Sequence, residues 1–127
     1  MIVGTGLDIV EIHRIQLIHD QHGRRFAQRI LCESEMHEYR ESNYPVRFLA
    51  KRFAAKEAVA KALGTGFAAG IGMKMICIGH DQSGRPLIEL SQAAKNRADE
   101  LGVAASWLSI SDEKHYATAF VVMERQN

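Results

Sequence analysis

The sequence has few of the residues that cross-link or interrupt small proteins. Its 127 residues include two cysteines, Cys32 and Cys77, and two prolines, Pro45 and Pro86. Two cysteines are too few for a disulfide scaffold or for a zinc site built from cysteine ligands. No run approaches the ~18 consecutive apolar residues of a membrane-spanning helix, so no membrane association is expected. The first residues lack the basic region of a secretory signal, so we expect a cytoplasmic protein.

The sequence also lacks a strong excess of either charge. The formal net charge is +1 and aromatic residues make up 7% of the chain. Together with the lack of a recognised nucleic-acid motif, these values argue against a nucleic-acid-binding protein. The hydrophobic share of 46% and the charged share of 24% are ordinary for a globular protein. The length predicts one domain, residues 1–127.

Positive charge is concentrated in residues 24–61. The nine lysines and arginines there are Arg24, Arg25, Arg29, Arg40, Arg47, Lys51, Arg52, Lys56 and Lys61, against the five acids Glu33, Glu35, Glu38, Glu41 and Glu57. Such a local excess suits an acidic partner or a phosphate-rich ligand. The alternative is a solvated helix surface, and composition alone favours that alternative.

Residues 1–12 have the composition of a strand, because β-branched residues dominate and glycines interrupt them. Strand alternation places Gly4, Gly6 and Asp8 on one face. The residues of the opposite, largely apolar face are Val3, Thr5, Leu7 and Ile9. Glycines in a strand allow close approach of another backbone or of a ligand. On this face of the strand, the carboxylate of Asp8 therefore follows two positions that have no side chain.

Residues 13–42 have the pattern of short helices. We expect a break at Gly23 and an N-cap at Ser34. Pro45 stands where a new helix begins. That helix is predicted to be the longest of the chain and to end at Gly64, because the segment between them is alanine-rich and uninterrupted.

Apolar residues occupy two bands of this predicted helix, residues 46–63, so it is expected to be mostly buried. Its charged residues are therefore informative. Lys56 falls within one apolar band, and Arg52 lies close to it. Glu57 lies at the edge of the band, and Lys61 follows one turn later on the same side.

The second half of the chain predicts two pairs of strands separated by a helix. The strands are residues 73–79, 86–90, 105–111 and 116–123, and the helix is capped by Ser91 and stops after Leu101 at Gly102. Consecutive strands joined by short turns favour an antiparallel sheet. The sequence therefore predicts an α+β protein with a small antiparallel sheet and a long central helix.

Asp8 and Glu57 are candidate metal ligands. Both are carboxylates in apolar surroundings, where a charge is costly unless it is paired or bound to a metal. Mg²⁺ typically takes one or two carboxylates together with phosphates and water. The alternative is an ion pair between Glu57 and Lys61 at i,i+4, and spacing alone favours the ion pair.

Arg52, Lys56 and Lys61 are candidate phosphate ligands, because they place three cations along a buried helix beside a glycine-rich loop. The alternative is that their stems lie on apolar surface while their charged heads reach water. The loop starts at Gly64 after a helix, so it is not a P-loop, whose phosphate sits at a helix N-terminus. Gly64 either simply ends the helix or begins a flexible loop over a ligand.

Two separated segments resemble the signatures of one enzyme family. Residues 6–14, G-L-D-I-V-E-I-H-R, resemble the first signature of the 4′-phosphopantetheinyl transferases, G-x-D with a following arginine. Residues 52–64, R-F-A-A-K-E-A-V-A-K-A-L-G, resemble the second, F-x-x-K-E-x-x-x-K-A-x-G. With the short length, the resemblance points to the holo-acyl-carrier-protein synthase branch and covers essentially the whole chain.

The resemblance implies an enzyme of fatty acid biosynthesis that transfers 4′-phosphopantetheine from coenzyme A to a serine of apo acyl carrier protein. Adenosine 3′,5′-bisphosphate is the second product. Asp8 and Glu57 would bind Mg²⁺, which would orient the pyrophosphate for in-line attack. Lys61 would hold a phosphate or stabilise the leaving group. The implied coenzyme A ligands are Arg52, Lys56, Lys61 and Gly64.

The resemblance also implies partners. Acyl carrier proteins are acidic, so the basic segment after Arg14 is the expected docking surface, with Arg14, Arg24 and Arg25 as contacts. Short members of the family resemble trimers whose active sites lie between subunits. We therefore expect a homotrimer.

One position departs from the family pattern. Many relatives carry Ser-His in the last hairpin, whereas here Ser111 is followed by Asp112. A histidine contact to coenzyme A is therefore not expected at this position.

A non-catalytic binding module for an acidic protein is the alternative function. The basic segment would serve such a module equally well. It would not explain why Asp8 and Glu57 occupy apolar surroundings, and it would not depend on Mg²⁺.

Overall fold

The computed structural model describes residues 1–127 and contains strands at both ends of the chain with helices between them. The elements are β1 (Ile2–Glu11), α1 (Ile12–His22), α2 (Arg24–Ile30), α3 (Glu33–Glu41), α4 (Pro45–Ala62), a 3₁₀ helix (Met73–Met75), β2 (Ile76–His80), β3 (Pro86–Leu90), α5 (Gln92–Leu101), β4 (Ala105–Asp112) and β5 (Tyr116–Glu124). The predicted α+β class and the long central helix are confirmed.

The strands form two antiparallel sheets. Strands β1, β5 and β4 make a three-stranded sheet in that order, and β2 and β3 make a separate hairpin. Both predicted hairpins are present. The first and last strands also pair along their lengths, with Asp8 opposite Ala119 and Leu7 opposite Phe120. That pairing joins the first and last strands of the chain in one sheet.

The boundaries of helices and strands follow the local sequence with two exceptions, one in a helix and one in a strand. Gly23 separates α1 from α2, and Pro45 occupies the first turn of α4, as predicted. Ser34 is not an N-cap, because α3 begins one residue earlier and Cys32 takes that position. The strand predicted to start at residue 73 begins only at Ile76, after a 3₁₀ turn.

Strand β1 and helix α4 approach each other more closely than any side chain would allow. A Cβ atom on Gly4 would overlap the carbonyl oxygen of Ala62, and one on Gly6 would overlap that of Ala58. The glycine face of β1 is therefore the inner face, packed on the backbone of α4. Glycine is required at both positions for this contact.

Helix α4 forms the centre of the hydrophobic core. Leu49, Val59 and Leu63 have no exposed surface. They belong to one cluster that also includes Val121 of β5 and Ile78 of β2. None of the helices combines the length and the apolar character needed to cross a membrane.

The two cysteines form a disulfide across a sequence separation of 45 residues. It joins the start of α3, at Cys32, to β2, at Cys77. The number of cysteines correctly excluded a multi-disulfide scaffold, but nothing in the local sequence indicated that these two would meet.

The outer face of the three-stranded sheet is apolar and exposed. Leu7 is 62% exposed and Ile9 is 66% exposed on β1. Trp107 on β4 and Phe120 on β5 are 48% and 46% exposed. The apolar face of β1 predicted from strand alternation thus lies at the surface, because the glycine face is taken by α4.

Substitution of Gly6 by alanine tests the close approach of β1 to α4. The added methyl group would collide with the backbone of α4, which cannot give way as a flexible side chain does. We expect Gly6→Ala to lower the free energy of unfolding by about 3 kcal/mol or more, measured by urea denaturation.

Gly79→Ala is the matched control, because a Cβ at Gly79 meets nothing within 4 Å and Gly79 has an ordinary negative φ. It should leave stability unchanged or raise it slightly. Equal stability of the Gly6→Ala variant and the parent would contradict the packing described here.

Candidate active site

The side chain of Lys61 links helix α4 to strand β1. Its Nζ lies 2.9 Å from Oδ1 of Asp8 and donates a 2.8 Å hydrogen bond to the carbonyl oxygen of Leu7. Asp8 is on the inner face of β1, so the close packing on α4 brings its carboxylate within reach of the helix. The side chain of Asp8 is 14% exposed and that of Lys61 is 51% exposed. The structure thus brings together Asp8 and Lys61 at an accessible position.

Glu57 lies one turn before Lys61 on the same helix. The alternative that spacing alone favoured, an i,i+4 ion pair between them, is not formed, because Lys61 binds Asp8 instead. Burial, and then the negative charge of Asp8, raise the pKa of Glu57 above its usual range, and the charges of Lys61 and Arg14 oppose this rise. The two carboxylates thus repel each other across the β1–α4 contact, and a bound cation would relieve that repulsion.

The arginines predicted to contact a partner lie on α1 and α2. Arg14 is exposed on α1, and its charge acts on the carboxylate of Glu57. Arg24 and Arg25 are exposed in the first turn of α2. The three arginines predicted to contact a partner therefore lie on accessible helix surface.

Lys56 is fully buried, unlike Lys61. Its Nζ donates hydrogen bonds to the carbonyl oxygens of Met73 and Ile76, at 3.0 Å and 2.5 Å. The third bond goes to Oε1 of Glu35, at 2.6 Å. Burial lowers the pKa of Lys56, and the Glu35 carboxylate opposes that shift. The predicted contact of Lys56 with a coenzyme A phosphate is therefore corrected: all three donors of this ammonium group are used inside the protein.

Glu35 is the buried partner that the sequence analysis missed. It has no exposed surface, and from sequence it was counted only among the five acids of residues 24–61. Besides Lys56, its carboxylate accepts hydrogen bonds from the backbone N–H groups of Cys32 and Ile78. These bonds join α3, α4 and β2 at one point. The apolar position of Lys56 on its helix was the only sequence signal that such a counter-ion exists.

Arg52 is also largely buried, and its guanidinium group lies at the wall of a surface groove. Its Nη2 donates a 2.8 Å hydrogen bond to Oε2 of Glu38. Its Nε lies 3.2 Å from Oε2 of Glu35 but is not aligned for a hydrogen bond. The ring of Phe48 lies under the guanidinium carbon, 4.6 Å away. Arg52 thus keeps donor capacity that Lys56 lacks.

The groove has a volume of about 900 Å³. Its walls come from the β2–β3 hairpin, the α3–α4 region and strands β4 and β5, and they include His80, Arg85, Pro86, Glu38, Phe48, Lys51, Arg52, Trp107, Ile110 and Phe120. The groove extends over β4 and the exposed side of β5, whereas Asp8 lies on the inner face of β1, against α4. Within one chain, the groove and the carboxylate pair are therefore separate features.

Gly64 lies just after α4. Its φ is +79°, a conformation that favours glycine, and its N–H donates to the carbonyl oxygen of Lys61. Arg97 also stabilises this helix end, because its Nε donates a 2.9 Å hydrogen bond to the carbonyl oxygen of Leu63. Helix termination is a sufficient reason for glycine at this position, and the contact of Gly64 with coenzyme A stays a prediction.

Asp112, which follows Ser111 in the last hairpin, interacts with two cations. Its Oδ2 accepts a 2.8 Å hydrogen bond from Arg47, and its Oδ1 lies 3.9 Å from the ammonium group of Lys51. Lys51 also lines the groove. A carboxylate therefore lies beside the groove at this position.

Comparison with known proteins identifies the family. The profile of the 4′-phosphopantetheinyl transferase superfamily matches residues 4–121. A holo-[acyl-carrier-protein] synthase of Vibrio cholerae is 50% identical over 126 residues, which cover 99% of this chain and all of the relative. The chain belongs to the 4′-phosphopantetheinyl transferase superfamily, in its holo-[acyl-carrier-protein] synthase branch. It is therefore an enzyme, as the two signature segments predicted.

Solved structures of this branch confirm the fold. The crystal structure of the Neisseria meningitidis holo-[acyl-carrier-protein] synthase has 44% sequence identity and a TM-score of 0.92, and the match covers 98% of this chain and all of that chain. A Helicobacter pylori synthase, solved in complex with coenzyme A, has 32% identity and a TM-score of 0.82 over 94% of this chain and 99% of that chain.

Replacement of Lys56 tests whether this lysine is structural. In Lys56→Met, the carboxylate of Glu35 loses its best-aligned counter-ion while remaining buried. We expect the free energy of unfolding to fall by about 3–5 kcal/mol in urea denaturation. The double variant Glu35→Gln/Lys56→Met should recover part of that loss, because the uncompensated charge is removed.

Lys51→Met is the control, because Lys51 has only a distant ion-pair partner and should change stability by less than about 1 kcal/mol. An unchanged stability of Lys56→Met, together with a raised KM for coenzyme A, would restore Lys56 to the phosphate site.

Proposed function

We propose that this enzyme transfers the 4′-phosphopantetheine group of coenzyme A to a serine hydroxyl of apo acyl carrier protein. Adenosine 3′,5′-bisphosphate leaves as the second product, and the reaction serves fatty acid biosynthesis. The observation that carries the proposal is the meeting of Asp8, Glu57 and Lys61, which come from two separate signature segments. The coenzyme A complex of the Helicobacter pylori relative supports the donor substrate.

Asp8 and Glu57 would hold Mg²⁺. The donor set fits, because both groups offer carboxylate oxygens; burial, and then the charge of Asp8, raise the pKa of Glu57, which supports a bound cation here. Two protein carboxylates leave room for the pyrophosphate and for water in the coordination shell that Mg²⁺ prefers. When bound, the ion would neutralise charge on the pyrophosphate during phosphoryl transfer.

Lys61 would bind a phosphate of the donor. Its side chain is half exposed, and its partner Asp8 lies at the same site. An ammonium group in this position can turn from the carboxylate to a phosphate oxygen over a short distance. Arg52 is a second candidate, because it faces the groove with donor capacity left. Gly64 would shape the loop beside these cations.

The enzyme would work as a homotrimer. The exposed apolar face around Leu7, Ile9 and Phe120 is the kind of surface that subunits cover. In a single chain the groove lies on the exposed side of β4 and β5 and the carboxylate pair lies on the inner face of β1, so neither forms a complete site for a long substrate. A neighbouring copy would place its groove beside Asp8 and Glu57.

The acyl carrier protein would dock on the helices that carry Arg14, Arg24 and Arg25. These side chains are exposed on α1 and α2. Arg14 lies close enough to Glu57 to influence its pKa, so a partner bound there would lie next to the catalytic groups. Charge complementarity of this kind mainly speeds association.

Intact-protein mass spectrometry tests the reaction and its metal requirement together. Apo acyl carrier protein mixed with the enzyme, coenzyme A and Mg²⁺ should gain one phosphopantetheine arm. The gain should disappear with EDTA and return with added Mg²⁺. Glu57→Gln should slow transfer by at least about 100-fold, because one carboxylate ligand is lost.

Glu89→Gln is the matched control for Glu57→Gln, because Glu89 is exposed on β3 away from α4, and its activity should equal that of the parent. No transfer to any of several carrier proteins would favour the alternative of a non-catalytic binding module. Such a module would still bind an acidic protein after the Glu57→Gln substitution.

Charge reversal at Arg14 tests the docking surface. Arg14→Glu should raise the KM for acyl carrier protein about tenfold at low ionic strength and leave the KM for coenzyme A nearly unchanged. The effect should shrink as salt is added. Lys95→Glu applies the same charge change on α5 and should alter neither KM. Equal increases in both KM values for Arg14→Glu would remove this residue from the docking surface.

Analytical ultracentrifugation tests the trimer. The parent should sediment with three times the mass of one chain. Leu7→Glu should give a folded monomer with little activity, because a charge would enter the proposed interface. Leu17→Glu changes another exposed leucine, on α1, and should remain trimeric. A stable and fully active monomer of the parent would overturn this arrangement.

A further inference from the structure

Cys32 and Cys77 are separate from the proposed catalytic residues Asp8, Glu57 and Lys61. Cys32 immediately precedes α3, and Cys77 is on β2. Their Cα atoms are 5.8 Å apart, within the range in which a disulfide forms without moving the backbone. Both side chains are half-buried, so neither is sealed from small solutes. The geometry therefore permits exchange between a dithiol and a disulfide without rearrangement of the fold.

The surroundings of the pair favour thiol chemistry. Cys32 is the N-cap of α3, and the partial positive charge of a helix N-terminus stabilises a thiolate. The hydroxyl oxygen of Ser34 lies 3.5 Å from the sulfur of Cys32 and 3.3 Å from that of Cys77. Its proton is available to either sulfur. The helix N-terminus favours Cys32 as the attacking thiol and Cys77 as the resolving one, against the opposing charge of the Glu35 carboxylate, which lies within 4.8 Å of both sulfurs.

A metal site is the competing interpretation of this cluster. Ligand atoms of Cys32, Cys77 and Glu35 lie within 4.8 Å of one another. The carboxylate of Glu35 is already engaged by Lys56, by the guanidinium of Arg52 and by two backbone N–H groups. A zinc ion would have to take it from these partners, and no histidine belongs to the cluster.

We propose that Cys32 and Cys77 form a reversible redox site that reacts with low-molecular-weight disulfides of the glutathione type. The thiolate of Cys32 attacks the small disulfide and releases one thiol, leaving a mixed disulfide on Cys32. The thiolate of Cys77 then attacks the sulfur of Cys32 and releases the second thiol. The protein dithiol loses two electrons and two protons, and the small disulfide gains them as two thiols.

Oxidation at this site fastens the β2–β3 hairpin to α3. The hairpin supplies one wall of the groove, including His80 and Pro86, and the α3–α4 region supplies another, including Glu38 and Arg52. Glu35 already ties these two parts through its bond from the N–H of Ile78. The reduced protein therefore keeps the same fold, and the bridge adds a covalent limit on how far the hairpin can separate from α3.

The experiment compares the parent after equilibration with dithiothreitol or with excess glutathione disulfide. Alkylation under denaturing conditions and intact mass should show two modified cysteines in the reduced sample and none in the oxidised one. The oxidised sample should melt about 5–15 °C higher, because the bridge closes a long loop in the unfolded chain. Hydrogen exchange at the amides of β2 should be slower in the oxidised form.

Cys32→Ser and Cys77→Ser are paired controls. Each should melt like the reduced parent whether or not glutathione disulfide is present, and each should keep one glutathione as a mixed disulfide. The site is established independently of the proposed transferase activity, because none of these readouts measures transfer.

Three results would overturn the proposal. The first is two alkylated cysteines in the parent after oxidation, and the second is two retained glutathiones without a bridge. The third is a tightly held zinc ion in the reduced protein that blocks alkylation until a chelator is added. An identical melting temperature of the oxidised and reduced forms would contradict the fastening of the hairpin.

Discussion

The contact between strand β1 and helix α4 determines where the proposed catalytic groups, Asp8, Glu57 and Lys61, lie. Because Gly4 and Gly6 have no side chains, β1 packs directly against the backbone of α4. Asp8 is the next inward position on the strand, so its carboxylate arrives at the helix surface beside Lys61. The antiparallel pairing of β1 with β5 holds the strand in this register. The two signature segments, residues 6–14 and 52–64, are thereby brought together at the proposed site.

A second constraint fixes the opposite side of α4. The buried carboxylate of Glu35 binds Lys56 and two backbone N–H groups, so α3 and β2 are attached to the helix at one point. Burial of an ion pair is costly in general. In this pair the cost is offset because all three donors of Lys56 make hydrogen bonds. Lys56 and Glu57 are neighbours in sequence but face different environments. Lys56 attaches α4 to α3 and β2, whereas the carboxylate of Glu57 interacts electrostatically with Asp8 and Lys61.

Local sequence patterns were sufficient for much of the fold and for part of the site. Alanine content, Pro45 and the alternating segments predicted α4 and the strands, because these features depend on nearby residues. The pairing of β1 with β5 depends on contacts between the two ends of the chain, which periodicity does not encode. For the same reason, the partnership of Lys56 with Glu35 and that of Cys32 with Cys77 were missed. The spacing rule that favoured an ion pair between Glu57 and Lys61 failed because Asp8, distant in sequence, competes for the same ammonium group.

The unequal faces of β1 have a consequence for how this strand can vary. On the inner face, Gly4 and Gly6 exclude every side chain by geometry, whatever its polarity. On the outer face, Leu7 and Ile9 are exposed in the single chain, so that chain can accept almost any residue there. Mutational tolerance along the strand therefore alternates with a period of two residues. Steric exclusion sets the strict positions, and only association with other molecules can restrict the permissive ones.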